Sequence, residues 1–180
     1  MFALKVDDKT ELRLVHPQFA QEHYNLIAAN KDHIGYWLDW AYKYLSIQDS
    51  YNFINYSLQN YAKGEAIECF IFYENKLVGG TGFPRIKPAN NSGEIGYWLA
   101  KNYTGKGIMT NSVKKMIDHG FNFLNLNKIV IRVAIGNQPS EKIARKLGFT
   151  QEGILRQDIL RNGEYTDGYT FGLLKSEWKQ

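Results

Sequence analysis

Between Glu94 and Leu124 the sequence EIGYWLAKNYTGKGIMTNSVKKMIDHGFNFL changes period across two glycines, Gly105 and Gly107, with Lys106 between them. Upstream, EIGYWLA (Glu94–Ala100) reads as a strand. Downstream, Ile108, Met109, Val113, Met116, Ile117, Phe121 and Leu124 recur at helical spacing and predict an amphipathic helix with one buried face. A strand that runs through glycines into a helix points to a mixed α/β fold. It also leaves the helix's first N–H groups, and the positive end of its dipole, facing outward. Glycine lets an anion approach where a side chain would block it. The junction therefore predicts a phosphate cradle.

The flanking sequence supplies the rest of a sheet. TELRLVHP (Thr10–Pro17) alternates as an opening strand and Pro17 ends it. Residues 18–64 are low in β-branched side chains and rich in aromatics, which predicts two or three helices with breaks at Gly35 and at Asp49–Ser50. AIECFIFYE (Ala66–Glu74) and KLVGGTGFPRI (Lys76–Ile86) read as strands joined by a tight hairpin at Glu74–Asn75, and PANNSG as a turn before the strand at Glu94. After the cradle helix come a strand, NKIVIRVAIG, and a short helix, NQPSEKIARKLGF, with Pro139 in its first turn and Gly148 past its end. The closing segment reads as a hairpin turning at Asn162–Gly163. This order gives a single α/β domain over residues 1–180, with a mixed sheet and no internal repeat.

Local grammar narrows the phosphate. A Walker A loop carries Ser or Thr after its lysine, and Lys106 is followed by Gly107, so nucleotide hydrolysis is disfavoured. A dinucleotide fingerprint needs a third glycine where this chain has Thr110. Composition removes other classes. No apolar run approaches the roughly 18 residues of a membrane span, and MFALKVDDKTELRL has no signal-peptide pattern. The net charge of +4 is scattered, which argues against a nucleic-acid arm, and the 4 histidines show no metal-site spacing. Cys69 is the single cysteine, which fits a reducing, cytoplasmic setting; it lies in an apolar strand and reads as buried rather than as an acetyl carrier.

Taken in order, the LRL opening strand, YWLDW, EIGYWL, YTGKGIMT, NQPSEKIARKLGF and LRNGEYTDGYTFGLL resemble the Gcn5-related N-acetyltransferase (GNAT) superfamily. Within it they resemble the group that acetylates serine or alanine amino termini of ribosomal proteins. The resemblance covers nearly the whole chain and implies a mostly antiparallel sheet flanked by helices. It also implies acetyl-coenzyme A as co-substrate, with no metal, and direct transfer in a ternary complex. The acceptor it implies is a ribosomal-protein N-terminus. A small amine such as a polyamine, amino acid or aminoglycoside, or a non-catalytic coenzyme A sensor, stays open. The resemblance leans towards self-association as a homodimer or larger assembly. It implies that the turn from Gly105 through Lys106, Gly107, Ile108 and Met109 to Thr110 binds the pyrophosphate. Tyr97, Trp98 and Leu99 would pair with the pantetheine arm, which Asn137 would also contact. The family motif opens with Gln or Arg where this chain has Asn102, so that side-chain contact is shorter or lost while the backbone cradle survives.

Acetyl transfer to an amine requires a neutral amine, a stabilised oxyanion and a proton for the leaving thiolate. An α-amine, with a pKa of roughly 7.7–8.0, asks much less of a base than a lysine near 10.4. Glu94, heading the strand before the cradle, is the candidate base or water-positioner; alternatively it is an exposed strand-end carboxylate. Ser140, in the first turn of the last helix, would meet the thiolate; alternatively Ser140 and Asn137 both cap that helix. The resemblance places a second acid on the following strand, where Asp158 or Ile159 holds the position. It also places Tyr36, Trp37 and Trp40 along an acceptor channel, although aromatics at helical spacing are commonly core. His119 reads as a surface residue.

Overall fold

The structure is a computed structural model that describes residues 2–161 and 163–179. In chain order the elements are β1 (Ala3–Lys5), β2 (Thr10–Leu14), α1 (Ala20–Ala29), α2 (Lys31–Gly35), α3 (Ile47–Ala62), β3 (Ile67–Tyr73) and β4 (Lys76–Lys87). These are followed by β5 (Ser92–Leu99), α4 (Ile108–Asn122), β6 (Lys128–Ala134), α5 (Gln138–Lys146), β7 (Thr150–Arg161) and β8 (Glu164–Leu174). The strands form a sheet of 8 in the order β1-β2-β3-β4-β5-β6-β8-β7. Every neighbouring pair is antiparallel except β5 and β6. The expected α/β class with a mostly antiparallel sheet is therefore what the chain forms.

Strand alternation splits the apolar residues between two faces. One face, with α4 and α5, buries Leu12, Ile71, Phe83, Met116, Phe121, Ile131 and Phe171. The other, under α1 to α3, buries Phe70, Phe72, Ile54 and Val15, with Ile27, Ile34 and Ala41 alongside. Cys69 is buried in the first cluster, as its apolar strand predicts.

Turn chemistry sets the connections. Glu74 and Asn75 both take left-handed φ, 49° and 63°, the requirement of a two-residue hairpin that keeps the strands' twist. Gly35 ends α2 as expected. Asp49–Ser50 does not break the chain: the Asp49 carboxylate accepts the N–H groups of Leu45 and Ser46, at 2.9 and 2.8 Å, and so starts α3. The closing hairpin forms between β7 and β8, with Gly163 at φ +80°; Asn162 lies outside the described residues.

The N-terminus corrects a second expectation. β1, too short and too charged to stand out in the sequence, pairs with β2 and packs Phe2, Leu4 and Val6 on the α4 face. Phe2 meets the His119 ring edge-on at 5.5 Å, so His119 is 8% exposed and not a surface residue. Burial, with Lys115 nearby, pushes its pKa down.

Candidate active site

β5 and β6 run parallel and pair at three positions, Ser92, Gly93 and Glu94 against Lys128, Ile129 and Val130. Beyond Glu94 they part, and Tyr97 to Leu99 keep β4 as their ladder partner. A register shift in β4 between Gly82 and Arg85 adds bend at the same level. The result is a wedge whose vertex is Glu94, whose walls are β5 and β6, and whose mouth faces the start of α4. The β5 edge along the wedge offers backbone groups to an extended ligand.

At the mouth, Gly105 and Gly107 adopt φ of +77° and +78°, and a Cβ at either would meet nothing within 4 Å. Gly107 caps α4 without a side-chain hydrogen bond, and the first turn carries no acidic residue. The first intrahelical bond runs from Asn111 N–H to the Gly107 carbonyl at 3.0 Å, so the N–H groups of Ile108, Met109 and Thr110 have no acceptor within the helix. This open, uncapped helix start fits an anion such as a pyrophosphate. The Ile108 and Met109 side chains are buried, so their contribution is backbone. Lys106 holds its ammonium 5.1 Å above the Tyr103 ring. Asn102 is exposed in the short 3-10 turn Lys101–Tyr103.

Across the wedge stands α5. Tyr97 brings its hydroxyl 2.9 Å from Ser140 Oγ and donates to the Ser140 carbonyl at 3.2 Å. Asn137 Oδ1 accepts the Ser140 N–H at 3.3 Å. Asn137 therefore caps α5, whereas the Ser140 hydroxyl turns away from the helix towards Tyr97. Burial pushes the Tyr97 phenol up to about 12, with the Ser140 hydrogen bond pulling the other way, so the phenol stays neutral.

At the vertex the Glu94 carboxylate lies 3.8 Å from Arg85 and 3.7 Å from Arg132. Arg132 also pairs with Asp158 at 3.3 Å. Asp158 comes into place because β7 shifts register between Leu155 and Ile159. Gln157 takes φ +53° in that bulge, its N–H held by the Asp167 carboxylate at 2.8 Å. Ile159 instead packs over Gly168. Sequence reading missed both arginines, yet Arg132, a cation amid the buried apolar residues of β6, is a legible signal in KIVIRVA.

The three expected acceptor aromatics separate into two groups. Tyr36 and Trp37 meet at 4.8 Å, with the Arg161 guanidinium 5.2 and 4.7 Å from their rings, and Trp37 reaches the loop at Gly136. Trp40 belongs with Tyr44 and Trp98, at ring separations of 5.6 and 5.9 Å. This second group packs on His23, which hydrogen-bonds Ser50 at 3.0 Å and is held neutral by burial, its pKa lowered to about 3. Trp98 thus extends to the α1–α3 side, while Tyr97 and Leu99 pack on the α4 side; only backbone from Trp98 can join the wedge. Among the described residues no group of three His, Cys, Asp or Glu is placed to hold a metal. No helix among them is long and apolar enough to cross a membrane.

Comparison with known proteins identifies relatives over the whole chain. The sequence profile described as an acetyltransferase (GNAT) domain matches residues 11–150. A Bacillus subtilis (strain 168) protein, YdaF, whose name gives ribosomal N-acetylation only as a provisional assignment, is 35% identical over 181 residues, covering 99% of this chain and 98% of the relative. The ribosomal-protein-serine acetyltransferase of Escherichia coli (strain K12) is 32% identical, covering 91% and 92%. A solved structure of a ribosomal L7/L12 α-N-protein acetyltransferase in complex with coenzyme A superposes with a TM-score of 0.94 at 27% identity, covering 98% of this chain and 99% of that one.

Proposed function

The chain belongs to the GNAT acetyltransferase family and is an N-acetyltransferase, and from that premise we propose that it acetylates the amino terminus of a ribosomal protein. Acetyl-coenzyme A would supply the acetyl group as a thioester, with transfer direct to the amine and no acetylated enzyme. The observation that carries the reading is the wedge closed by the Tyr97–Ser140 pair, with a carboxylate at its vertex. The relatives' names support the ribosomal acceptor and, with it, a cytoplasmic setting.

Each residue has a task that its position suits. The N–H groups of Ile108 to Thr110 bind the pyrophosphate, and the β5 edge near Tyr97 to Leu99 and Asn137 hold the pantetheine arm. Glu94, fixed between Arg85 and Arg132, orients the water that takes the amine's proton. Ser140, hydrogen-bonded to neutral Tyr97, hands a proton to the departing sulfur while Tyr97 passes its own proton to Ser140, and solvent reprotonates Tyr97. An α-amine suits so modest a base, because a sizeable fraction is neutral near pH 7.

The test offers acetyl-coenzyme A with amino-terminal peptides of ribosomal proteins on one arm and polyamines and aminoglycosides on the other, reading thiol release and product mass. The expected result is peptide α-amine acetylation that falls about 100-fold in kcat in Ser140→Ala. Turnover confined to the small amines would overturn the ribosomal acceptor; unchanged kcat in Ser140→Ala would overturn the proton-donor role.

A further inference from the structure

Glu68, on β3, has the position and the chemistry of a ligand-binding group, and the acetyl-transfer roles above leave it unused. It lies on the α1–α3 side of the sheet with Phe70 and Phe72, at a strand position where an apolar residue would bury more surface. Glu68 is half-buried, and its carboxylate makes no hydrogen bond or ion pair with any described residue, so its acceptor capacity is open to water or to a ligand. Burial alone pushes its pKa up to about 8.

The surroundings give this group a direction. Glu68 pairs with Gly82 on β4, and Gly82 pairs with Gly96 on β5. The Glu68 Oε2 lies over Gly82, 2.6 Å from where a Cβ would stand. At Gly96, the next position in the row, a Cβ would meet only the Pro84 ring, in ordinary contact at 3.7 Å. Adjacent strands are about 5 Å apart, so the carboxylate hangs one strand short of Gly96 and the open edge of the wedge. Trp98 walls one side: its Nε1 stands over Gly80, 2.7 Å from a Cβ position there. Tyr44 stands close enough that its phenol pKa, raised chiefly by burial and then by Asp49, is raised further by Glu68. A trough floored by glycines thus leads from an unpaired acid, past the rings of Trp98, Trp40 and Tyr44, to the β5 edge.

We infer that Glu68 is the acceptor-recognition residue of this enzyme, holding a primary ammonium of the incoming substrate in the Gly82–Gly96 trough. The assignment rests on the acetyltransferase reading of the wedge and names what its acceptor side selects. A cation is the ligand that supplies what the carboxylate lacks, and the aromatic rings favour one sterically and electrostatically. Two sources share this chemistry: the α-ammonium that becomes the acetylated amine, and a lysine side chain further along the acceptor. Retaining an uncompensated acid in place of a hydrophobic residue costs stability, which is the trade expected of a binding group.

The experiment compares wild type with Glu68→Gln on two peptides that begin with serine, one with alanine and one with lysine at the second position. Coenzyme A affinity, read by calorimetry, is the control for an intact wedge and is expected to be unchanged. The expected result is a KM for acceptor raised about 10-fold or more, with kcat within about 3-fold. An equal rise for both peptides assigns the α-ammonium; a rise for the lysine peptide alone assigns the side chain. Gly96→Ala, which meets no close contact, is expected to raise the same KM by narrowing the trough. Unchanged acceptor KM in both variants overturns the inference. If wild type acetylates a polyamine but neither peptide, the ribosomal reading falls and the same KM comparison on the polyamine decides Glu68. Turnover of no amine overturns both.

Discussion

Two pairs of glycines flank the proposed reaction site, and they are there for opposite reasons. Gly105 and Gly107, on the donor side, have open space around them and left-handed backbone, so conformation demands glycine. Gly82 and Gly96, on the proposed acceptor side, are paired on the adjacent strands β4 and β5, and Gly82 is glycine because β3 and the Glu68 carboxylate lie where a side chain would be. The first pair shapes the chain locally; in the second, Gly82 admits the close approach of β3 and the Glu68 side chain, and Gly96 admits Pro84 at ordinary contact distance. Substitutions should therefore fail differently on the two sides, through backbone strain on one and through crowding or charge on the other.

The largest effect is expected from the charge. The native Glu68 pKa, about 8, exceeds the ordinary 4.5, so folded protein holds a proton that unfolded chain has lost between those values. Stability then falls as pH rises from 4.5 to 8, and Glu68→Gln removes that fall. Thermal unfolding of the variant should match wild type near pH 4 and exceed it at pH 8, with the gap opening as pH rises through that window. His23 acts in the other direction. Its native value of about 3 lies below the ordinary 6.5, so stability falls as pH drops through that window in both proteins. Equal pH profiles would remove Glu68 as an acid that folding desolvates.

Next comes crowding. A Cβ on Gly82 would stand 2.3 Å from the Ile67 carbonyl and 2.7 Å from Glu68 Cα, both backbone, so β3 and β4 must separate. Gly82→Ala should cost about 3 kcal/mol in urea unfolding. Gly107→Ala meets no atom but holds φ +78°, a strain of about 1–2 kcal/mol, and should weaken coenzyme A binding by about 10-fold. If it binds coenzyme A normally, the cradle is not where the pyrophosphate sits. The smallest effect is expected at exposed Asn102: Asn102→Ala should change stability by less than about 0.5 kcal/mol and leave coenzyme A affinity in place, because the backbone carries the cradle. A marked loss would restore the side-chain contact that the family motif provides with Gln or Arg.

Much of the donor side was legible in the sequence because its signals are local. The change of period at Gly105 and Gly107, the capping run Asn137-Gln138-Pro139-Ser140 and the hairpin at Glu74–Asn75 each depend on residues within a few positions. Where a local reading failed, a distant segment intervened: β1 covered His119, and a helix-starting carboxylate at Asp49 imitated a break. Local reading also left the two roles of Asn137 and Ser140 unseparated, since only the approach of Tyr97 from β5 shows which of them caps and which faces the wedge.

The sequence by itself determined the order of elements from β2 onward, the α/β class and the glycine turn that opens α4, because periodicity and glycine backbone freedom act over a few residues. Tertiary structure decided the acceptor side. Arg85, Arg132 and Asp158 gather around Glu94 through pairing of β4, β6, β8 and a bulged β7. Glu68 meets the Gly82–Gly96 row through the register of three strands. Register between strands is fixed by the packing of the whole sheet, so a charge that looks misplaced in AIECFIFYE gains its direction only when β4 and β5 are laid beside it.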